Sequence, residues 1–230
     1  MTRDISFLLL SGGIGSRSGH YEPKQFRRIA DLEMMAYSLR TAAAYGRVAE
    51  IVTNAPDGYR ERTGSLCAAH APGIPVRVEA CGATRQESVR ILASAASHDI
   101  VILHEAARPM IDAEMIDELL AAKEENAGLF AAIPFSICEI DHATGLVGQG
   151  IPRANVVNIQ LPQKFARKTL VAAHEIAAVN GLEFTEDAVL VRQVAGARVQ
   201  ALPGHARNIK VTTPDDFGFV RKLMEKENRA

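Results

Sequence analysis

Near the N-terminus, Ser11-Gly12-Gly13-Ile14-Gly15-Ser16-Arg17-Ser18-Gly19 combines glycines with a cation, and Pro23-Lys24-Gln25 follows closely. Glycine lacks a Cβ, so its backbone N–H can come close to a phosphate oxygen. The loop follows the apolar run Ile5–Ser11, and such a loop after a first strand is the usual place for a nucleotide in a parallel sheet. The dinucleotide-binding pattern is not met: its third glycine position is Ser18, and Pro23 interrupts the helix that should begin there. A Walker loop is not met either, because no Gly-Lys-Ser/Thr follows the glycines. What remains is a glycine loop carrying Arg17 and Lys24, seven residues apart, suited to a polyphosphate. The competing reading is a surface turn with ordinary exposed bases; the two cations and the placement weigh against it.

The elements that must position this loop alternate in type. Strand-like runs occur at Ile5–Ser11, Glu50–Thr53, Pro75–Glu79, Ile100–His104 and Leu129–Pro134. Helical patterns lie between them at Met35–Ala44, Tyr59–Ala69, Arg85–Ala96 and Ala113–Asn126. Thr84-x-x-Glu87 is a capping box, and Asp112 can cap the helix after it. This β-α repetition predicts a three-layer α/β fold, Rossmann-like, with a mostly parallel sheet covered on both faces. Residues 135–162 break the pattern with glycines, prolines and short β-like pieces (Leu146-Val147 and Val156–Ile159). They predict a projecting β-arm within one domain spanning 1–230. Helices are expected again at Ala166–Asn180, stopped by Gly181, and near Asp187–Val194. Strands Arg198–Leu202 and Asn208–Val211 should follow, then a helix opened by Thr213-Pro214-Asp215-Asp216.

Composition narrows the class. The chain has 230 residues, 47% hydrophobic and 23% charged, with 27 acids against 26 bases. This excludes a disordered chain and a general nucleic-acid coat. No apolar run approaches the roughly 20 residues of a membrane span, and the start of the chain does not read as a signal peptide. Cys67, Cys81 and Cys138 are too scattered for a disulfide framework. A cytoplasmic protein without membrane or nucleic-acid partners is expected. The seven histidines form no cluster at metal-ligand spacing. His104 reads as a strand-end residue near the site, and His70, His98 and His174 read as surface residues. Cys67 and Cys81 read as small buried hydrophobes.

Gly-Gly-x-Gly-x-Arg followed by Pro-Lys-Gln resembles the motif of sugar-phosphate nucleotidyltransferases, and specifically of the cytidylyltransferases acting on polyol phosphates. Gly82-Ala83-Thr84-Arg85-Gln86-Glu87-Ser88-Val89 is similar to that family's Gly-x-x-Arg-x-x-Ser-Val. His104-Glu105-Ala106-Ala107-Arg108-Pro109 resembles its His-Asp-Ala-Ala-Arg-Pro, and Leu161-Pro162-Gln163 its Thr-Pro-Gln. Asn208-Ile209-Lys210-Val211-Thr212-Thr213-Pro214-Asp215-Asp216 matches its C-terminal motif. The resemblance implies attack by a substrate phosphate on the α-phosphorus of CTP, with loss of pyrophosphate. The first expected substrate is 2-C-methyl-D-erythritol 4-phosphate, an isoprenoid precursor, and the next is ribitol 5-phosphate. Arg17, Lys24 and Lys210 are the expected catalytic cations; Arg17 and Lys24 face the triphosphate. Gly12, Gly13, Ile14 and Gly15 are expected to supply backbone donors. Gly82, Arg85 and Ser88 match the segment that contacts cytosine and ribose. The polyol-phosphate side is assigned to Glu105, Arg108, Cys138, Arg153 and Thr212. Mg²⁺ or another divalent cation is implied, held mostly by phosphate oxygens, with Glu105 the candidate protein ligand. Arg153 matches an arginine that reaches the neighbouring subunit's site, which makes the arm a dimerisation element of a homodimer.

Four positions depart from the family pattern. Glu105 stands for Asp, and Pro134-Phe135-Ser136-Ile137-Cys138 stands for Pro-x-x-Asp-Thr, with Ile140 where a lysine is expected. His205 replaces a frequent acid, and Ser11-Gly12-Gly13 replaces Ala-Ala-Gly. These changes gather where a polyol would sit, which bears on substrate choice more than on the chemistry. Another small phosphate or phosphonate, a different nucleotidyltransferase, and a non-catalytic nucleotide-binding relative therefore remain as alternatives.

Overall fold

The computed structural model describes residues 2–13 and 22–227. The chain enters as β1 (Ile5–Leu10) and resumes with a short 3-10 turn, Lys24–Phe26, and the hairpin β2 (Arg28–Ile29) and β3 (Leu32–Glu33). Then come α1 (Met34–Ala44), β4 (Val48–Ala55), α2 (Arg60–His70), β5 (Val76–Ala80), α3 (Arg85–Ala95) and β6 (Ile100–Glu105). The second half runs α4 (Ala113–Ala121), β7 (Asn126–Ala132), β8 (Ile137–Asp141), β9 (Leu146–Ile151) and β10 (Val157–Ala166). It closes with α5 (Arg167–Val179), α6 (Asp187–Val194), β11 (Val199–Pro203) and α7 (Pro214–Glu227).

Among the described residues, seven strands form one sheet in the order β11-β7-β10-β6-β1-β4-β5. All neighbours are parallel except β10, which runs antiparallel to both β6 and β7. Alternation along β1 sorts the core. Phe7 and Leu9 pack with Ile102, Leu39 and Ile116 beneath α1, α2 and α4. Leu8 turns the other way and packs with Leu103, Val89, Leu170 and Leu190 beneath α3, α5 and α6. Each such side chain contributes about 1.5–3 kcal/mol on burial, so both helical layers are firmly seated. The three-layer α/β expectation holds. The register Leu10↔Glu105 and Leu9↔Thr53 aligns the carboxyl ends of β1, β4 and β6 at one edge. The chain leaves β1 toward β4 on one side and reaches β6 on the other, so this edge is a topological switch point.

Several expectations are corrected. Residues 157–162, assigned from sequence to the arm, belong to β10 in the middle of the main sheet. The ladder slips between Gln160 and Gln163, where Pro162 has no N–H to donate, and that interruption hides the strand in the sequence. β8 and β9 form a separate two-stranded sheet. Residues 208–211 are no strand; Val211 N donates to Ala107 O at 2.8 Å and the segment otherwise runs as a loop. α4 ends at Ala121, and Asn126 already opens β7. His174, expected at the surface, is fully buried.

Candidate active site

The carboxyl edge of the sheet opens into a cavity of about 800 Å³. Its wall is supplied by Leu10–Gly13 after β1, Asn54 and Pro56 at the end of β4, Cys81 and Gly82 after β5, and Glu105–Ala107 after β6. Lys24, Arg85, Ser88 and Lys210 complete it. The start of the glycine loop is fixed from below. Ser11 N donates to Asn54 Oδ1 (2.8 Å), and the Gln25 side-chain amide donates to Ser11 O. A Cβ on Gly12 would fall 2.2 Å from Cys81 Sγ and 2.7 Å from Asn54 Nδ2, so a larger residue would have to displace the side chains of Cys81 and Asn54. Gly13 faces open space and is not required on steric grounds. Ile14, Gly15 and Arg17 lie outside the described residues.

The opposite wall is the start of α3. Thr84 Oγ1 accepts from Glu87 N (3.1 Å), the cap expected from the sequence, and Glu87 Oε2 accepts from Ala83 N (2.7 Å). Ser88 Oγ accepts from Gly82 N (3.1 Å) and donates to Thr84 O (3.0 Å). A Cβ on Gly82 would come within 2.5 Å of Glu87 Cγ and 2.7 Å of Ser88 N, which closes that position to larger residues. Arg85 lines the cavity and pairs with Asp187 at 2.8 Å.

Glu105, at the end of β6, joins the remaining cations. Its carboxylate meets Arg108 Nε at 2.8 Å and Lys210 Nζ at 2.8 Å. Burial works to raise the Glu105 carboxyl, but Lys210 and Arg108 outweigh it and hold the group below the usual carboxylate range. Lys24 Nζ donates to the carbonyl of Val211 (2.8 Å), beside Lys210. The 208–211 loop therefore brings both lysines to one wall.

Other expected site residues fall elsewhere. Arg108 is buried and does not line the cavity; it donates to Asn208 O (2.7 Å) and Ile159 O (3.4 Å) as well as pairing with Glu105. Its guanidinium clamps three segments together instead of offering itself to a phosphate. Thr212 does not line the cavity; its N and Oγ1 both donate to Asp216 Oδ2 at 2.7 Å. Burial would raise the Asp216 carboxyl, but these bonds and those from Thr213 hold it at about 2. Cys138 and Arg153 are exposed on the arm, away from the cavity wall, and Arg153 donates to Pro134 O at 2.8 Å. The sequence reading overlooked Gln25, Asn54, Cys81 and Tyr59 as wall residues. The polar pair Thr53-Asn54 closing an apolar run was the signal for one of them. Cys81, read as a buried hydrophobe, is partly exposed in the wall, whereas Cys67 is buried as expected. Among the described residues no group of three or more His, Cys, Asp or Glu is placed to hold a metal ion.

The chain matches the family model of IspD, 2-C-methyl-D-erythritol 4-phosphate cytidylyltransferase, over residues 5–226. It is 34% identical over 229 residues to the 2-C-methyl-D-erythritol 4-phosphate cytidylyltransferase of Streptomyces avermitilis, covering 93% of this chain and 89% of that one. It is also 32% identical to the bifunctional enzyme IspD/IspF of Mesorhizobium japonicum, where 98% of this chain spans 56% of the longer protein. The crystal structure of the Thermus thermophilus cytidylyltransferase superposes with a TM-score of 0.77 at 27% identity, covering 98% of this chain and all of that one. With the start of the glycine loop, the capped α3 and the Glu105–Lys210 wall all at one sheet edge, the chain belongs to the IspD cytidylyltransferase family of nucleotidyltransferases.

Proposed function

We propose that this chain transfers CMP from CTP to 2-C-methyl-D-erythritol 4-phosphate. A phosphate oxygen of the substrate attacks the α-phosphorus of CTP, the bond to the bridging oxygen of the β-phosphate breaks, and pyrophosphate leaves. The observation that carries the reading is the meeting of Lys24 and Lys210 on the wall of a cavity at the switch point of a parallel sheet. The nucleophile is already an anion, so the protein needs no strong base. Its work is to hold two anions in line and to offset the charge growing on the α-phosphate. Lys24 takes the triphosphate and Lys210 the incoming phosphate. Gly82, Arg85 and Ser88 take the nucleoside. Arg17, Ile14 and Gly15 are assigned to the triphosphate by resemblance.

A divalent cation such as Mg²⁺ belongs to the same reading, supplying charge neutralisation on the triphosphate. Glu105 is the ionised oxygen ligand the wall offers, but its two oxygens are paired with Arg108 and Lys210, so most ligands must come from phosphate oxygens. Assembly as a cytoplasmic homodimer through the arm is the further part. Its support is the apolar surface the arm exposes at Phe135, Ile140, Leu146 and Val147. Arg153 would then reach the partner's site. Pyrophosphate release from CTP with methylerythritol phosphate, run beside ribitol 5-phosphate and with ATP, GTP and UTP as controls, tests the reading. CTP-specific turnover with methylerythritol phosphate is expected. CTP binding without turnover on any polyol phosphate would overturn it in favour of a non-catalytic relative.

A further inference from the structure

Arg85 reaches the cavity already engaged on one side. Its Nη2 lies 2.8 Å from Asp187 Oδ2 and 3.9 Å from Glu186 Oε2. Its Nη1 and Nη2 are both buried and make no hydrogen bond among the described residues, so the contact with Asp187 is an ion pair that leaves the donors of the guanidinium unmatched. Asp187 is 1% exposed and receives a second partner, His174, whose Nε2 sits 3.0 Å from Asp187 Oδ1. His174 itself is fully buried in the middle of α5. Three helices thus contribute one residue each to a line running from the interior to the cavity: α5 through His174, α6 through Asp187, α3 through Arg85.

A buried carboxylate is costly unless it is paired and hydrogen-bonded, and Asp187 has both kinds of partner. Burial alone would raise its carboxyl, but Arg85 and His174 overcome that and hold it below the usual range, so it stays an anion facing the guanidinium. With Asp187 and Glu186 beside it, Arg85 has its charge offset and is a poor grip for a phosphate. It keeps unmatched N–H groups at the edge of the cavity that Arg85 lines, and a buried donor without a partner is relieved by an acceptor bound against it. The uncharged acceptors of a nucleoside, ring carbonyl and ribose hydroxyl, fit that need.

We propose that Asp187 and His174 are positioning residues that lock the Arg85 guanidinium for the nucleoside part of CTP. This inference rests on the cytidylyltransferase reading above. It predicts that loosening the line weakens nucleotide binding and raises the KM for CTP, while kcat and the KM for the polyol phosphate hold.

The test is a double-mutant cycle on the full chain, read by calorimetric titration of CTP with Mg²⁺ and by steady-state kinetics. D187N, H174Q and R85A are compared singly, and D187N and H174Q again on the R85A background. D187N and R85A should each weaken CTP binding about tenfold, and H174Q less, the scale of one good hydrogen bond. On the R85A background, D187N and H174Q should add less than about twofold, because the group they position is gone. Losses of equal size on both backgrounds, or a lowered melting temperature with CTP affinity intact, would overturn the positioning role. Should D187N fail to fold, H174Q delivers the same comparison. If the unaltered chain binds no CTP, the parent reading falls and this one with it; if it binds CTP and the losses are additive, only the positioning falls.

Discussion

Lys24 and Lys210 come from opposite ends of the chain, yet the carbonyl next to one accepts a hydrogen bond from the other. Lys24 therefore supplies charge and also fastens the 208–211 loop to the turn that follows the glycine loop. Lys24→Ala should lower kcat/KM for pyrophosphate release by ~10²–10³, the usual effect of losing one group that stabilises transition-state charge. Lys24→Gln keeps a donor for Val211 O but not the charge; a rate close to that of the unaltered chain would sink the electrostatic role. Glu105 sets the second residue-scale prediction. Glu105→Gln leaves Arg108 and Lys210 facing a neutral amide and should cost about 2 kcal/mol in urea unfolding at pH 7, less than for a sealed pair because Lys210 is partly exposed. The sign with pH follows from the lowered carboxyl. Its stabilisation is present above the ordinary carboxylate value and fades as pH falls through the folded one, so the two proteins should converge in acid.

At the scale of elements, the start of α3 is built from local chemistry: Thr84 caps, Glu87 reaches back, and Ser88 braces Gly82. Thr84→Ala should cost about 1 kcal/mol in thermal or urea unfolding. Gly82→Ala should cost about 1–3 kcal/mol, since the new methyl would collide with Glu87 and the Ser88 backbone, and the displaced helix start should also raise the KM for CTP. Such local logic is why the starts of α3 and α4 could be placed from sequence: a cap and its partner lie within one turn. What the sequence concealed depends on partners far along the chain. His174 shares the buried face of its helix with Leu170, Ala173 and Ala177, and only the fold brings Asp187 to it. Arg108 reads from sequence as a phosphate grip, but its donors go to the carbonyls of Asn208 and Ile159, which are 100 and 51 residues further along the chain. The run 208–211 has the apolar character of a strand, but it meets the sheet side through a single backbone bond from Val211 to Ala107. Of the expected site, Gly12, Gly13, Lys24, Gly82, Arg85, Ser88, Glu105 and Lys210 do meet at one cavity, because β-strand ends converge by topology once strand order is right.

At the scale of the molecule, acid is the stress that reaches the centre. His104, fully buried between β1 and β10, has its imidazole pushed down to about 4 by burial. Unfolded, it binds a proton near the ordinary histidine value, so the unfolded chain holds more protons between those two values. Stability should therefore fall as pH drops from about 6.5 to about 4, by as much as ~3 kcal/mol from this residue. His104→Gln should flatten that part of a stability–pH curve measured by urea unfolding; an unchanged slope would locate the acid sensitivity elsewhere. The proposed dimer carries its own check. Arg153→Ala should lower turnover, and mixing it with Lys24→Ala should regain some activity if each site borrows from its neighbour. Verified mixed dimers that stay inactive would count against sharing. The arm also bears on how this chain can vary. It stands on β10, which runs from beside the two-stranded sheet, through the slip at 160–163, into the ladder between β6 and β7. A residue inserted in the exposed turn at 142–145 alters only the arm's tip. One inserted at 163–165 shifts the register by one, exchanging the faces of Lys164 and Phe165, so that the buried lysine loses Ala122 O and takes the place of Phe165 among apolar side chains. Length drift is therefore tolerable at the tip and excluded at the root, so the arm can be remodelled for new partners while the strand that carries it stays fixed.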